Sequence, residues 1–369
     1  MAVPSAPPPS PSAPPQAARL RRLRLLFLAL LVSTTALAGT ASGSPRATSA
    51  PPSSAPPCAA PEVPKSRNHD AATKHDAAFN RDFRHCFTTV NGVQMHYVIG
   101  GTGPQTTVLL HGWPESWYEY RQVMPELLPG RTVIAIDLPG MGDSTGRPTA
   151  YTKTALAGYV HGLLNRIGAQ RDVRFVAHDF GVGVAYALAA RYREQAAGLF
   201  LMDFPLVGKN LSFATDVRPL SWHFSFNLQD PLAEQLATGR VGTFLDHFFR
   251  HSQISETPQP DPNPPSPIAP RALAEYTRVF SRPQVLHSGF ELYRTWSQDE
   301  QENKRLQQDP LTIPVRLVTQ DGLSGMMLPA VRDAAPGATG TEVDGAGHWL
   351  LEERPDRVVE EINSFYPAR

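Results

Sequence analysis

Short apolar runs that alternate with amphipathic segments constrain the fold of this chain more than any other feature of its sequence. From about residue 78 onward, apolar runs are followed by segments with helical spacing of their apolar residues, as at 153–167 and 182–192. Such alternation is typical of a mostly parallel sheet buried between helices. The first two strands flank Asn91-Gly92, which favours a two-residue hairpin. The predicted strands are residues 86–90, 95–99, 107–110, 133–137, 173–178, 199–203, 315–319 and 341–343.

The alternation stops between about residues 205 and 310. This region has a proline-rich loop at 257–267 and aromatic-rich helical segments at 221–227, 241–251 and 272–296. Strand pairing then resumes, so the region is predicted to be a helical insertion between two strands. We expect it to cover the carboxyl edge of the sheet, where open α/β sheets bind their ligands. The predicted domains are a core of residues 78–204 and 311–369 and a cap of residues 205–310.

Residues 1–64 differ from the rest of the chain in composition. They contain 14 of the 37 prolines, mixed with alanine and serine, and such a segment cannot build a packed core. Within it, a basic stretch at 19–24 precedes an apolar run that ends in Ala36-Leu-Ala38. This layout indicates a secretory signal peptide, residues 1–38. A disordered linker, residues 39–77, is predicted to follow it.

The signal peptide predicts an exported protein. Its apolar run is shorter than the roughly 20 residues that a membrane-spanning helix needs, so no stable membrane span is expected. The alternative is an uncleaved segment that anchors the protein in the membrane. Because the basic stretch begins well after Met1, a start codon further downstream also remains open.

Charge and cysteine content exclude several classes of protein. Outside residues 1–64, which hold five arginines and one glutamate, 29 of the 34 basic and 33 of the 34 acidic residues remain. A mildly acidic body without a basic stripe argues against nucleic-acid binding. The two cysteines, Cys58 and Cys86, exclude a cysteine-built zinc site. Export permits a disulfide between them, but two unpaired cysteines fit the sequence at least as well.

The segment Val176-Ala-His-Asp-Phe-Gly-Val-Gly183 carries the clearest catalytic signal. It follows a predicted strand and opens a predicted helix, and its small residues permit a strained turn that exposes one side chain above the sheet. The exposed residue is Asp179, where a serine esterase would have serine. A carboxylate suits attack on a strained or activated sp3 carbon. The alkyl ester formed in this way needs a base that activates water.

His348 is predicted to be that base. It lies in a glycine-rich loop after the last predicted strand and before the final helix, where a hydrolase triad has its last member. The loop that begins His111-Gly-Trp-Pro114 follows another strand. There the backbone N–H of Trp113 is predicted to form an oxyanion hole together with the N–H of Phe180. His111 and Pro114 are predicted to shape this loop.

Four motifs follow one another along the chain: His111-Gly-Trp-Pro-Glu-Ser-Trp-Tyr-Glu-Tyr120, Asp137-Leu-Pro-Gly-Met-Gly-Asp-Ser144, His178-Asp-Phe-Gly181 and Gly347-His348. Together they resemble the α/β-hydrolase superfamily and, within it, the epoxide hydrolases, which are close to the haloalkane and haloacetate dehalogenases. The resemblance covers about residues 83–366. It implies the α/β-hydrolase fold, with a mostly parallel eight-stranded sheet, helices on both faces and a helical cap inserted after strand 6. It also implies a reaction that needs no metal or other cofactor.

The resemblance further implies a carboxylate that orients His348, for which the family has two positions. In the usual one the acid follows the seventh strand, where Asp321 stands one residue too early. In the other, found in relatives of haloacetate dehalogenase, the acid follows the sixth strand. Asp203 in the segment Leu199-Phe-Leu-Met-Asp-Phe-Pro205 matches that second pattern. We favour Asp203 and keep Asp321 as the alternative acid.

The resemblance also bears on the leaving group. Tyr293 lies in a segment similar to the one that carries a lid tyrosine in epoxide hydrolases, where tyrosine protonates the opening ring. The position of the second lid tyrosine holds His223, which resembles the halide-binding histidine of haloacetate dehalogenases. Those enzymes have arginines one and four residues after the nucleophile, where this chain has Phe180 and Gly183. Haloalkane dehalogenases typically have a tryptophan at the first of these positions, so the epoxide interpretation is favoured.

We therefore predict a hydrolase that opens small apolar epoxides to vicinal diols. Asp179 forms the ester, Tyr293 helped by His223 protonates the oxygen, and His348 directs water onto the ester. A haloalkane or haloacetate dehalogenase with the same nucleophile is the first alternative. A secreted binding protein that kept the fold without catalysis is the second. The sequence does not indicate the natural substrate or the oligomeric state.

Overall fold

Apart from residue 58, the described part of the chain begins at residue 73, ten residues before the first strand. The computed structural model describes residue 58, residues 73–252, residue 261 and residues 263–368. The predicted signal peptide lies outside these residues, as does most of the predicted linker. The linker prediction is wrong at its carboxyl end, because a helix, α1, spans Thr73–Asp82. This stretch contains no proline, and the ring of Phe79 stacks on that of Phe83 with centroids 4.4 Å apart.

An eight-stranded sheet forms the centre of the fold, with the strand order β1-β2-β4-β3-β5-β6-β7-β8. β1 and β2 form the predicted hairpin and β2 pairs antiparallel with β4, whereas the later pairings are parallel. The predicted mostly parallel eight-stranded sheet is thus confirmed. The strands are Phe83–Val90 (β1), Val93–Gly100 (β2), Gln105–Leu110 (β3), Arg131–Ile136 (β4), Val173–His178 (β5), Ala196–Met202 (β6), Val315–Thr319 (β7) and Thr339–Glu342 (β8).

Several strands are longer than their apolar runs because polar residues also take part in the pairing. At the start of β3 and β4, Gln105 lies opposite Arg131 in the parallel register. Both side chains are buried, and the Nε of Arg131 donates to the Oε1 of Gln105 at 2.8 Å. Polar side chains are tolerated inside a sheet when they form hydrogen bonds with each other. A pattern of apolar residues cannot show it.

Apolar side chains fill both faces of the sheet. Along β3, Val108 and Leu110 belong to one buried cluster and Leu109 belongs to the other, as the alternation of side chains along a strand requires. The first cluster includes residues of α2, α3 and α10, and the second includes residues of α12, so helices lie on both faces as predicted. After α1 the helices are α2 (Lys153–Arg166), α3 (Phe180–Arg191), α4 (Trp222–Asn227), α5 (Leu232–Ala237), α6 (Val241–His251), α7 (Pro270–Phe280), α8 (Pro283–Arg294), α9 (Trp296–Leu306), α10 (Ser324–Ala334), α11 (Leu350–Glu353) and α12 (Pro355–Phe365).

The helices α4 to α9 all lie between β6 and β7 in the chain, where the sequence predicts an insertion, and we call them the cap helices. The indole Nε1 of Trp349 donates to the carbonyl of Phe249 on α6 at 3.1 Å. The hydroxyl of Tyr276 on α7 donates to Glu352 at 2.8 Å. Both contacts attach the cap helices to the loop and short helix that follow β8. In the described part of the chain no helix is both long and apolar enough to cross a membrane.

A buried ion pair makes a third attachment between core and cap helices. The Nζ of Lys153, at the start of α2, lies 2.7 Å from the Oδ2 of Asp299 on α9. The same ammonium donates to the carbonyl of Leu292 and the hydroxyl of Thr295. Burial lowers the pKa of Lys153 and raises the pKa of Asp299. The hydrogen bonds therefore hold the two charges together against the cost of removing them from water.

Cys58 and Cys86 form a disulfide, although they lie 28 residues apart. Cys86 is in β1, so the bond attaches the chain at residue 58 to the edge of the sheet. Of the two possibilities that the sequence left open, the structure has the paired one.

Replacing Lys153 by methionine should lower the free energy of unfolding by about 3–5 kcal/mol, because Asp299 would then be a buried charge without a partner. The double variant Lys153→Met/Asp299→Leu should recover most of this loss, since no charge remains buried. Urea unfolding monitored by tryptophan fluorescence measures both. Arg171→Met is the matched control, because its ion pair with Glu194 is exposed and such pairs contribute about 0–1 kcal/mol. Equal losses in the two single variants would contradict the prediction.

Candidate active site

Asp179 stands at a sharp turn between β5 and α3. Its backbone has φ 45° and ψ −126°, a conformation that residues with a side chain rarely adopt and that stores strain. Two glycines make room for it. A Cβ at Gly112 would lie 2.5 Å from the Cβ of Asp179, and a Cβ at Gly181 would lie 2.2 Å from the carbonyl oxygen of Leu110. The turn holds the Asp179 carboxylate at the carboxyl end of a central parallel strand.

The loop after β3 brings a backbone donor to this carboxylate. The N–H of Trp113 donates to the Oδ1 of Asp179 at 2.9 Å. Phe180 is the first residue of α3, where a backbone N–H has no carbonyl partner inside its own helix. His111 braces the loop, because its Nδ1 donates to the carbonyl of the next residue at 2.7 Å and its Nε2 accepts from the N–H of Leu138 at 3.0 Å. Burial lowers the pKa of His111, which agrees with this neutral form.

His348 lies between two carboxylates. Its Nδ1 is 2.6 Å from the Oδ2 of Asp203, and its Nε2 is 3.8 Å from the Oδ2 of Asp179. Asp203 directly follows β6, one residue beyond the observed end of that strand, and its φ of 48° turns it out of the strand direction. Asp203 is buried, and its carboxylate also accepts from the backbone and side-chain N–H groups of Gln320. These bonds fix the acid and thereby the orientation of the imidazole.

Asp321 has a different partner. Its Oδ2 accepts from the N–H of Gly345 at 2.8 Å, and the residue is exposed. Asp321 therefore stabilises the turn that leads towards His348 without contacting the imidazole. Of the two acids considered in the sequence, the structure brings Asp203 to His348.

A cavity above Asp179 brings most of the predicted site residues together. Its floor comes from the core and its roof from the cap helices and the segment that precedes them. The lining includes five residues with phenyl, phenol or indole rings, so the space is largely apolar apart from the carboxylates and imidazoles. It is lined by Trp113, Asp179, Asp203, Pro205, His223, Phe224, Phe248, Ser252, Tyr293, Trp296 and His348.

Tyr293 on α8 and His223 on α4 enter this cavity from the side of the cap helices. Their ring centroids lie 5.8 Å apart. Burial, together with the charge of Asp179, raises the pKa of the Tyr293 hydroxyl well above its usual value, so the hydroxyl keeps its proton. Burial, together with nearby His348, lowers the pKa of His223 to about 3. The His223 imidazole is therefore neutral near pH 7.

A buried charged network lies behind His348, and the sequence analysis did not identify it. The Nδ1 of His178 is 3.0 Å from the Oε2 of Glu119 and 3.4 Å from the Oε2 of Glu115, and its Nε2 is 3.0 Å from the carbonyl oxygen of His348. Both ring nitrogens face acceptors, so both carry protons. Burial opposes this charge, but the two glutamates outweigh it and raise the pKa of His178 well above its usual value.

The same crowding raises the pKa of Glu115 to about 8, through burial and the neighbouring charge of Glu119. The only sequence signal for the network is the spacing of the two glutamates, four residues apart after β3, with Glu119 in a short 3-10 helix. That spacing does not reveal that both side chains turn inward, because glutamates usually face water.

Two groups of histidine and carboxylate side chains bring their ligand-type atoms within 4.8 Å of one another in the described part of the chain. One is the His178 network. The other consists of His96, Asp137 and Asp143. Its atoms already have partners, since His96 Nδ1 lies 2.7 Å from Asp137 and Asp143 pairs with Arg278 and Arg282. We assign a metal ion to neither group.

Comparisons with a family model, with curated proteins and with solved structures all find hydrolases. The chain matches the model of the alpha/beta hydrolase family over residues 107–361. The soluble epoxide hydrolase of Corynebacterium sp. (strain C12) is 33% identical over 288 residues, which cover 77% of this chain and 98% of that protein. Bifunctional epoxide hydrolase 2 of Rattus norvegicus is 25% identical over 75% of this chain, which matches 54% of that longer protein.

The solved structure of epoxide hydrolase CorEH without ligand resembles this chain with a TM-score of 0.69 and 33% identity. The similarity covers 78% of this chain and 100% of that one. The family match extends from β3 into α12, so it includes the cap helices as well as the core.

Replacing Asp203 by asparagine should alter the Nδ1 proton of His348, because an amide is a weaker acceptor than a carboxylate. In proton NMR spectra of the wild-type protein we expect a low-field imidazole resonance from this short hydrogen bond. The resonance should shift upfield or disappear in Asp203→Asn. It should persist in Asp321→Asn, which is the matched control. Its loss from Asp321→Asn, with Asp203→Asn unchanged, would assign the orienting acid to Asp321.

Proposed function

The chain belongs to the alpha/beta hydrolase family, in its epoxide hydrolase branch, and on that premise we propose that it opens small apolar epoxides to vicinal diols through an ester on Asp179. One observation supports this proposal above the others: the Asp179 carboxylate, the Tyr293 hydroxyl and the His348 imidazole line a single cavity. A nucleophile, an acid for the leaving oxygen and a base for water are the three groups that this reaction needs.

In the first step, an oxygen of Asp179 forms a bond to an epoxide carbon as the bond from that carbon to the ring oxygen breaks. The ring oxygen takes the proton of Tyr293, and His223 donates a hydrogen bond to it. The high pKa of Tyr293 keeps the hydroxyl protonated until an alkoxide, which is a stronger base, develops beside it. The product of this step is an alkyl ester of Asp179 and a tyrosinate that regains its proton later.

In the second step, water attacks the carbonyl carbon of that ester while the Nε2 of His348 accepts its proton. Asp203 holds the Nδ1–H of His348 and stabilises the imidazolium that forms. The negative charge on the tetrahedral oxygen is stabilised by backbone N–H groups, for which Trp113 and Phe180 are the candidates. On breakdown the imidazolium of His348 gives its proton to the departing alcohol oxygen, which releases the diol and leaves Asp179 as the protonated acid. That proton passes to the tyrosinate of Tyr293, which restores both the Asp179 carboxylate and the Tyr293 hydroxyl. Side chains and water balance each step, so the proposal includes no cofactor.

The dehalogenase alternative has less support. A leaving halide needs a nearby positive charge or fixed donors, and Phe180, directly after the nucleophile, has an apolar side chain. The low pKa of His223 means that it presents a neutral imidazole rather than a cation. A neutral donor suits an oxygen that is being protonated better than a halide ion. The non-catalytic alternative gains no support, since the cavity has all the groups that the reaction requires.

Asp179→Ala should abolish diol formation from styrene oxide. In the wild-type protein, one turnover in water labelled with 18O should place the label in the Asp179 carboxylate, because water attacks the ester carbonyl and not the substrate carbon. Mass spectrometry of the peptide that contains Asp179 measures this. Label that appears only in the diol after a single turnover would contradict the ester route.

Tyr293→Phe should slow epoxide opening by about 10²-fold or more, the contribution expected of a general acid. Tyr186→Phe is the matched control, because that hydroxyl is also buried but has no hydrogen-bond partner among the described residues and Tyr186 does not line the cavity. Stopped-flow tryptophan fluorescence under single-turnover conditions measures the opening step. Equal rates for Tyr293→Phe and the wild-type protein would exclude Tyr293 as the acid. Free halide from a haloalkane, without diol from an epoxide, would favour the dehalogenase.

We also propose that the protein is exported. The signal-peptide pattern in residues 1–38 and the Cys58–Cys86 disulfide both support this proposal, since disulfides persist mainly in oxidising compartments. Sequencing of the mature amino terminus should give Gly39 as the first residue, and thiol labelling should find no free cysteine before reduction and two after it. A mature protein with both thiols free would contradict the proposal.

A further inference from the structure

Ser221 stands directly before α4, at a position where a serine hydroxyl usually accepts from the first N–H groups of the helix. Here it makes no such bond. Its Oγ lies 2.8 Å from the Nδ1 of His223 instead. The serine hydroxyl therefore contacts the imidazole two residues further on and does not cap the helix.

The single proton of the Ser221 hydroxyl has two acceptors within reach. One is the Nδ1 of His223 at 2.8 Å, and the other is the carbonyl oxygen of Ser252 at 3.5 Å. Hydroxyl donors prefer acceptors at about 2.7–2.8 Å, and contacts near 3.5 Å are weak. The contact with Nδ1 is therefore the stronger of the two, and a Ser221 hydroxyl that donates to Nδ1 uses it.

A neutral imidazole carries one proton, on one of its two nitrogens. If Nδ1 accepts from Ser221, the proton of His223 is on Nε2. His223 lines the cavity above Asp179. Because Nδ1 is bonded to Ser221, Nε2 is the nitrogen that can donate to a substrate in the cavity. The opposite tautomer would present a lone pair to the leaving oxygen of the substrate and repel it.

We propose that Ser221 is a positioning residue that fixes His223 as the Nε2–H tautomer, so that the imidazole donates a hydrogen bond to the epoxide oxygen beside Tyr293. This inference rests on the proposed function, because it assigns the second donor for the ring-opening step. The wall around His223 is apolar, with the ring centroid of Phe224 at 4.1 Å and that of Phe248 at 4.9 Å. Within that wall Ser221 is the side chain whose hydroxyl meets Nδ1.

The tautomer can be measured directly. In 15N NMR spectra of the histidine-labelled wild-type protein, the Nδ1 of His223 should resonate as an unprotonated nitrogen and the Nε2 as a protonated one. His223→Phe identifies the signals. Ser221→Ala should move the tautomer towards Nδ1–H, whereas Ser225→Ala, a matched change inside α4, should leave it in place. A wild-type spectrum with the proton on Nδ1 would overturn the proposal whether or not the protein turns over epoxides.

Kinetics test whether the tautomer matters for the reaction. Ser221→Ala should slow ester formation from styrene oxide by about tenfold, the effect expected for loss of one neutral hydrogen bond, and leave hydrolysis of the ester unchanged. In the His223→Phe background the same change should have no further effect. An equal loss in both backgrounds would show that Ser221 acts through the structure of the cap helices, and it would overturn the proposal.

Different results would contradict the role of Ser221 and the proposed epoxide hydrolysis. If His223→Phe itself opens the epoxide at the wild-type rate, His223 is not a donor and the inference falls while the roles of Asp179 and Tyr293 stand. If the wild-type protein forms no diol from any epoxide, the proposed function fails. The NMR result would then still report what Ser221 does to His223.

Discussion

The site depends on a strained turn that the surrounding backbone holds in place. Asp179 keeps a positive φ because its neighbours leave no alternative: β5 is paired on both sides, α3 begins at the next residue, and Gly112 and Gly181 allow the backbone to approach closely. Such strain persists only where the rest of the structure over-determines it. The turn aims a carboxylate at the cavity, and the other site residues are arranged around it.

The environment of the cavity then gives the same kinds of side chain different chemical properties. Asp179 and Asp203 are both carboxylates next to His348, but the Asp203 side chain is fully buried and its carboxylate has three hydrogen-bond contacts, whereas the Asp179 side chain is 13% exposed. His178 is held as a cation by two glutamates, and His223 is held neutral by its apolar surroundings. Burial and the partner of each group, rather than the residue type, therefore divide the roles within the site.

The sequence predicted much of this arrangement, and the errors have physical causes. The central strands were predicted because buried parallel strands are continuous apolar runs, and the turn at Asp179 was predicted because such a turn needs small residues at fixed spacing. Strand ends were missed where polar residues pair inside the sheet, as Gln105 does with Arg131. The linker prediction extended to residue 77 because composition alone does not show that a helix begins at Thr73.

Local patterns in the sequence were sufficient for the fold class, the order of the elements and the turn that carries Asp179, because each depends on residues that are neighbours in the chain. The choice between Asp203 and Asp321, the pairing of Cys58 with Cys86 and the charge of His178 were decided only by the tertiary structure. In each case the outcome depends on a partner distant in sequence, such as His348, 145 residues from Asp203. Which of two chemically equivalent groups reaches such a partner is set by strand order and loop direction.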